Sequence, residues 1–153
     1  MNTTYRIVVG IDGTDAASRA LHWAIQEAAN RGGSVQAVTA WTWDGPDLAA
    51  AASPAEQREQ AEGIVSRAVA SVATPTGVTL ATEAVEGRPA EVLSAAAQDA
   101  DLLVLGSHGH GRLHHAVLGS VGEACVRKAT CPVVILPAPH QVAKPAKDPA
   151  VVG

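Results

Sequence analysis

Glycine, serine and histidine crowd one stretch of the chain, Gly106-Ser-His-Gly-His-Gly-Arg-Leu-His-His-Ala-Val-Leu-Gly-Ser120. Glycines at 106, 109 and 111 let backbone amides approach an anion closely. The apolar run Asp101-Leu-Leu-Val-Leu105 precedes this stretch, and a helix-like segment, Val121 to Ala129, follows it. Strand, glycine-rich loop and helix N-terminus, in that order, can receive a phosphate. Ser120 is placed as an N-cap with the free amides of the next turn behind it, and the helix dipole would favour a triphosphate by about 1 kcal/mol. The same glycines also suit a tight turn without a ligand, and the pattern alone leaves both readings open. Ser120-Val-Gly-Glu123 further reads as a capping box. Such a box would satisfy the helix amides internally and set a carboxylate beside the phosphate site.

Two other groups can do chemistry. Asp12, in Asp12-Gly-Thr-Asp15, follows an apolar run, where an aspartate either forms a turn or faces a ligand. A lone carboxylate suits Mg or Mn that arrives with a nucleotide and is held partly by phosphate oxygens. His108, His110, His114 and His115 lie in the glycine loop, but no thiol or carboxylate stands at a supporting metal spacing. They read as a solvated loop that gains charge below about pH 6.5. His110 and Arg112 are then possible phosphate contacts, with binding tightening toward pH 6.

These residues need strands and helices to position them. Arg6 to Ile11 is continuously apolar, the mark of a strand covered on both faces. Thr14 or Asp15 caps a helix carrying Ala17, Ala20, Leu21, Ala24, Ile25 and Ala28 at helical spacing, which Arg31-Gly-Gly33 ends. Ser34 to Trp41 is a second strand. An irregular loop from Thr42 to about Ala52 follows, whose alanine run could add a little helix. Ser53-Pro-Ala-Glu56 is a capping box with proline at the first helical position, for a helix running through Val72. Val78 to Val85 alternates like an edge strand, and Ala90 to Ala97 is a short helix. Asp101 to Leu105 and Pro132 to Pro137 are the fourth and fifth strands.

Strand and helix alternate throughout, which predicts an α/β fold: an open five-stranded parallel sheet with helices on both faces. Ligands in such sheets bind beyond the carboxyl ends of the strands, where neighbouring connections leave in opposite directions. Periodicity leaves the strand order open. The 153 residues form one domain over 1–137, and the Pro, Lys and Ala composition of 138–153 predicts a disordered tail.

Composition excludes several classes. Net charge is −4 with no basic face, so no nucleic acid is expected as a partner. The apolar runs are too short to cross a membrane, so no membrane partner is expected either. Met1 to Arg6 runs straight into a strand without the pattern of a secretory signal, and a cytoplasmic location follows as an expectation. Cys125 and Cys131 have neither redox nor zinc spacing and read as two buried, reduced thiols.

Gly106-x2-Gly109-x9-Gly119-Ser120 resembles the ATP-binding motif of the universal stress protein family at every fixed position. Val8 to Thr14 looks like that family's first strand and loop, and Thr130 to Pro137 like its last strand. The likeness covers roughly residues 4 to 137. It implies a Rossmann-like sheet of order 3-2-1-4-5, with strands 1 and 4 meeting at the switch point. By the same resemblance the cofactor is ATP, with Mg or Mn. Gly10, Ile11 and the backbone from Val38 to Ala40 would hold adenine and ribose, and Asp12 the ribose or metal-bound phosphates. Gly106, Gly109, Gly119, Ser120 and Val121 would carry the phosphates. Gly122 stands where relatives carry a second phosphate-side hydroxyl. Trp41 and Trp43 leave the second strand near this rim, to stack on a base or to cover the sheet edge.

The function expected is an ATP-binding regulatory stress-response protein and not an enzyme, at most a weak ATPase. No Walker lysine is present, and no residue is clearly placed to orient an attacking water. Cyclic AMP is a second candidate ligand. A nucleotidyltransferase is a third reading, since Ser107-His-Gly-His110 bears a faint likeness to their His-x-Gly-His motif, though that motif belongs after the first strand. A ligand-free dimeric interaction protein is a fourth. A homodimer is expected through Val133 to Leu136, an apolar strand whose open edge invites pairing.

Overall fold

The computed structural model describes residues 4–43, 52–107 and 118–137. The elements alternate: β1 (Arg6–Gly10), α1 (Asp15–Arg31), β2 (Ser34–Trp41), α2 (Pro54–Ala70), β3 (Thr79–Glu86), α3 (Pro89–Ala96), β4 (Leu102–Gly106), α4 (Ser120–Lys128) and β5 (Val133–Leu136). The strands form one parallel sheet in the order β3-β2-β1-β4-β5. β1 and β4, whose sequences are continuously apolar, lie inside it. β3, which alternates, is an edge.

Side-chain alternation divides the core into two layers. Ile7 and Val9 of β1, with Val35 and Ala37 of β2, pack under α1 and α2, against Leu21, Ile25 and Val65. Val8, Val38, Leu103 and Leu105 pack on the other face with Val92 and Leu93 of α3 and Cys125 of α4. Small alanines on α1 (Ala17, Ala20, Ala24, Ala28) let that helix sit close to the sheet.

The helix ends follow local chemistry. The Thr14 hydroxyl accepts from the Ala17 amide at 3.2 Å, and Gly32 ends α1 at φ 64°. Ser53 and Glu56 form the reciprocal capping box expected of them. The Ser53 backbone amide, donating to Glu56, holds that carboxyl below its usual range.

Some expectations change. α2 ends at Ala70 and Val72 lies in the turn beyond it, its amide donating to Val69 at 3.3 Å. Cys125 is fully buried but Cys131 only partly. Burial pushes both thiols up. The alanine run of the loop after β2, and the tail expected over 138–153, lie outside the described residues. Among the described residues no helix is long and apolar enough to cross a membrane.

Candidate functional site

β1 and β4 are neighbours, with Val9 opposite Val104. The chain leaves β1 toward β2 on one side and leaves β4 toward β5 on the other. A crevice therefore opens beyond Gly10 and Gly106, the place where such sheets take ligands.

The first wall is the turn after β1. Asp12 Oδ1 accepts from the Thr14 amide at 3.0 Å and from the Thr14 hydroxyl at 2.5 Å. Gly13 has φ 84°, a conformation glycine adopts at little cost. The two bonds fix the half-buried carboxylate at the start of α1, where the helix dipole favours negative charge. The turn-forming and ligand-facing readings of Asp12 are thus compatible, because the turn orients the carboxylate.

The second wall is the N-terminus of α4. Gly119 is the N-cap, and among the described residues no side chain caps the helix. The capping box expected of Ser120 and Glu123 is absent. Ser120 is the first helical residue, not the cap, so Glu123 lies one position too late to reach back. Its carboxylate takes Arg127 one turn on, at 2.6 Å. The amides of Ser120, Val121 and Gly122 precede the first intrahelical bond, Glu123 N–H to Gly119 carbonyl at 3.0 Å. Ser120 is exposed and Val121 half-buried.

Two contacts join the walls. A Cβ on Gly106 would lie 2.7 Å from the carbonyl carbon of Ala16 in the first turn of α1. Glycine is therefore required at 106 by the approach of α1, whatever binds in the crevice. Ser107, 4% exposed, donates its amide to Leu136 at 2.9 Å and accepts from the Gly119 amide at 3.0 Å. This clamp ties the end of β4 to the start of α4. Ser107, Thr14 and Ala16 were missed as site residues. The Asp-x-Thr spacing signals the first turn, but nothing local signals the approach of Ala16 to Gly106.

The rim beside β1 comes from β2. The Ile11 amide donates to the Val38 carbonyl at 2.8 Å, so Val38 is fully buried with its carbonyl engaged. A residue in a parallel strand presents both backbone groups to one side, and alternate residues share that side. Ala40 therefore points its N–H and C=O where Val38 does. The chain turns away at Asp12, and among the described residues the next rung of the ladder, from Ala40 to Ile11, is not made. Ala40 thus offers a donor and an acceptor to the crevice. Gly10, the last residue of β1, is covered by Leu93 and Leu105, which a Cβ there would meet at 2.9 Å and 2.8 Å. Trp41 ends β2 with its indole N–H buried and unpartnered, and Trp43 is 40% exposed. Gly109, His110, Arg112 and the other loop histidines lie outside the described residues.

A doubly wound α/β domain with a crevice at the β1/β4 switch point belongs to the class of open-sheet folds that take ligands there. Residues 4–137 match the universal stress protein family, and the chain belongs to that family. One universal stress protein of Mycobacterium tuberculosis is 36% identical over 146 residues, covering 92% of this chain and 46% of its own length. The chain spans about half the length of the curated relatives it matches. A family member from Burkholderia pseudomallei superposes with a TM-score of 0.66 at 31% identity, over 90% of this chain and 100% of that one. A universal stress protein solved in complex with cAMP superposes at 0.64 with 26% identity, over 88% of this chain and 98% of that one.

Proposed function

We propose that this chain is a regulatory module that binds ATP in the β1/β4 crevice and hydrolyses it slowly or not at all. The observation that carries the reading is the uncapped N-terminus of α4, joined through Ser107 and Gly106 to the turn that holds Asp12. Phosphates lie on the amides of Ser120, Val121 and Gly122, with the exposed Ser120 hydroxyl beside them. The adenine edge, a ring-nitrogen acceptor next to an amino donor, pairs with the N–H and C=O of Ala40. Asp12 holds the ribose or a magnesium or manganese ion. Among the described residues no three metal-ligating side chains converge, so a metal fits here only with one carboxylate and the phosphate oxygens. Slow turnover rests on the sequence, which lacks a Walker lysine.

The solved relative bound to cAMP supports a second reading, in which the cyclic nucleotide fills the same crevice. The two separate on one experiment. The protein is purified without added nucleotide and denatured, and the released small molecules are identified by mass spectrometry. ATP supports the first reading and cAMP the second. A molecule without an adenine ring would overturn both.

We also propose that the chain forms a homodimer through β5. Pro132 and Leu136 accept from Leu103 of β4 and from Ser107 just beyond it, so Val133 and Ile135 point their backbone groups outward. A two-fold axis beside Val134 pairs Val133 of each copy with Ile135 of the other, in an antiparallel ladder. Light scattering at micromolar concentration is expected to give twice the chain mass. A monomer mass would refute the dimer.

A further inference from the structure

The crevice and the free edge of the sheet share one corner. Leu136, the last residue of β5, gives its carbonyl to the Ser107 amide at 2.9 Å, and the Ser107 carbonyl takes the Gly119 amide at 3.0 Å. Arg19 of α1 reaches the carbonyl of Pro137, the next residue, at 3.3 Å. The end of β5 is thus held from two sides by elements that wall the crevice. Ile135, one of the two residues whose backbone faces out, adjoins the residue so held. All four β5 side chains are half-buried: Val134 and Leu136 pack on one core layer and Val133 and Ile135 on the other, so no residue of the strand is wholly enclosed.

From this corner we infer that occupancy of the crevice and pairing of the β5 edge are coupled, so that nucleotide binding tightens self-association of two copies of this chain. The inference rests on the nucleotide and dimer readings above. Phosphates on the first turn of α4 fix Gly119. Gly119 fixes Ser107, and Ser107 fixes the carbonyl of Leu136. An edge already held in position loses less freedom when a second copy pairs with it. Linkage makes the effect reciprocal: the dimer binds nucleotide more tightly than the monomer by the same factor.

The test is sedimentation equilibrium of the full chain with and without saturating MgATP, with calorimetric titration of ATP in parallel. We expect the dimer dissociation constant to fall at least about fivefold with nucleotide, the lower end of measured couplings. Hydrogen exchange at the Ser107 amide is expected to slow when nucleotide binds. If ATP binds and the dissociation constant stays within about twofold, at the limit of resolution, the coupling is overturned while the nucleotide reading stands. If calorimetry shows no ATP binding, the nucleotide reading fails and the coupling with it. If no dimer forms with or without ATP, the dimer reading fails instead. Ser107→Pro removes the amide that holds Leu136. At an ATP concentration that calorimetry shows to saturate the variant, it is expected to abolish the shift in association, and a shift that survives overturns the route. Should that variant not fold, exchange at Ser107 in the unaltered chain decides, and unchanged exchange counts against the inference.

Discussion

Substituting Gly106 by alanine separates the packing role of the glycine motif from its chemistry. The added Cβ would lie 2.7 Å from the Ala16 carbonyl carbon and 2.8 Å from the Ala16 oxygen and Cβ. None of these atoms is the far end of a flexible side chain, so α1 itself must retreat. Moving the nearest contact from 2.7 Å to 3.4 Å is a shift of about 0.7 Å. Overpacking of this kind costs about 1–3 kcal/mol. At about 2–4 °C per kcal/mol for a chain of this size, Tm falls by about 2–12 °C. Because α1 carries the Asp12 turn, ATP affinity falls too. Gly122→Ala is the control: its Cβ meets Ile135 and Leu118 at 3.7 Å, ordinary contact, and alanine suits a helix better than glycine. It is expected to melt at or above the wild-type temperature. Scanning calorimetry on the three proteins decides the point. A Gly106→Ala protein melting within about 1 °C of wild type would refute the packing argument.

Asp12→Asn keeps the oxygen that Thr14 bonds but removes the charge that the α1 dipole favours, so Tm should fall by no more than about 4 °C while magnesium-dependent ATP affinity drops about tenfold or more, a loss of about 1.4 kcal/mol. Equal affinity in a calorimetric titration with magnesium would take the metal role away from Asp12. Thr14→Ala removes the α1 cap and is expected to cost about 1 kcal/mol in urea unfolding; an unchanged midpoint would contradict it. The Cys125 thiol is raised by burial, so the folded state favours its protonated form. Its stabilisation is present below the unfolded thiol pKa and is lost as pH rises through the higher folded value. Ellman's reagent at pH 8 should therefore spare Cys125 until the protein unfolds, and reach the partly exposed Cys131 first. Equal rates for both thiols would contradict the burial.

The residues differ in how far their roles can be read from sequence. The apolar runs of β1 and β4 marked strands inside the sheet and the alternation of β3 an edge, because burial on one or two faces leaves a mark, but β5, as continuously apolar as β1, is the other edge. Ser53-Pro-Ala-Glu56 and Ser120-Val-Gly-Glu123 look alike, yet only the first forms a capping box. The second fails because Gly119 takes the cap position, with its amide committed to Ser107. Arg127, one turn beyond Glu123, was the local clue. The strand order came from family resemblance and not from periodicity. The exposure of the Ala40 backbone depends on β1 turning away before β2 does, and the need for glycine at 106 depends on Ala16, ninety positions earlier. Such long-range geometry leaves no local pattern.

The central claim is that the crevice holds an adenine nucleotide. Isothermal titration of the nucleotide-free chain with ATP and magnesium tests it most directly. One nucleotide per chain is expected, with a Kd of about 10 µM or tighter that Asp12→Asn weakens. No saturable heat with either ATP or cAMP up to about 1 mM would contradict it.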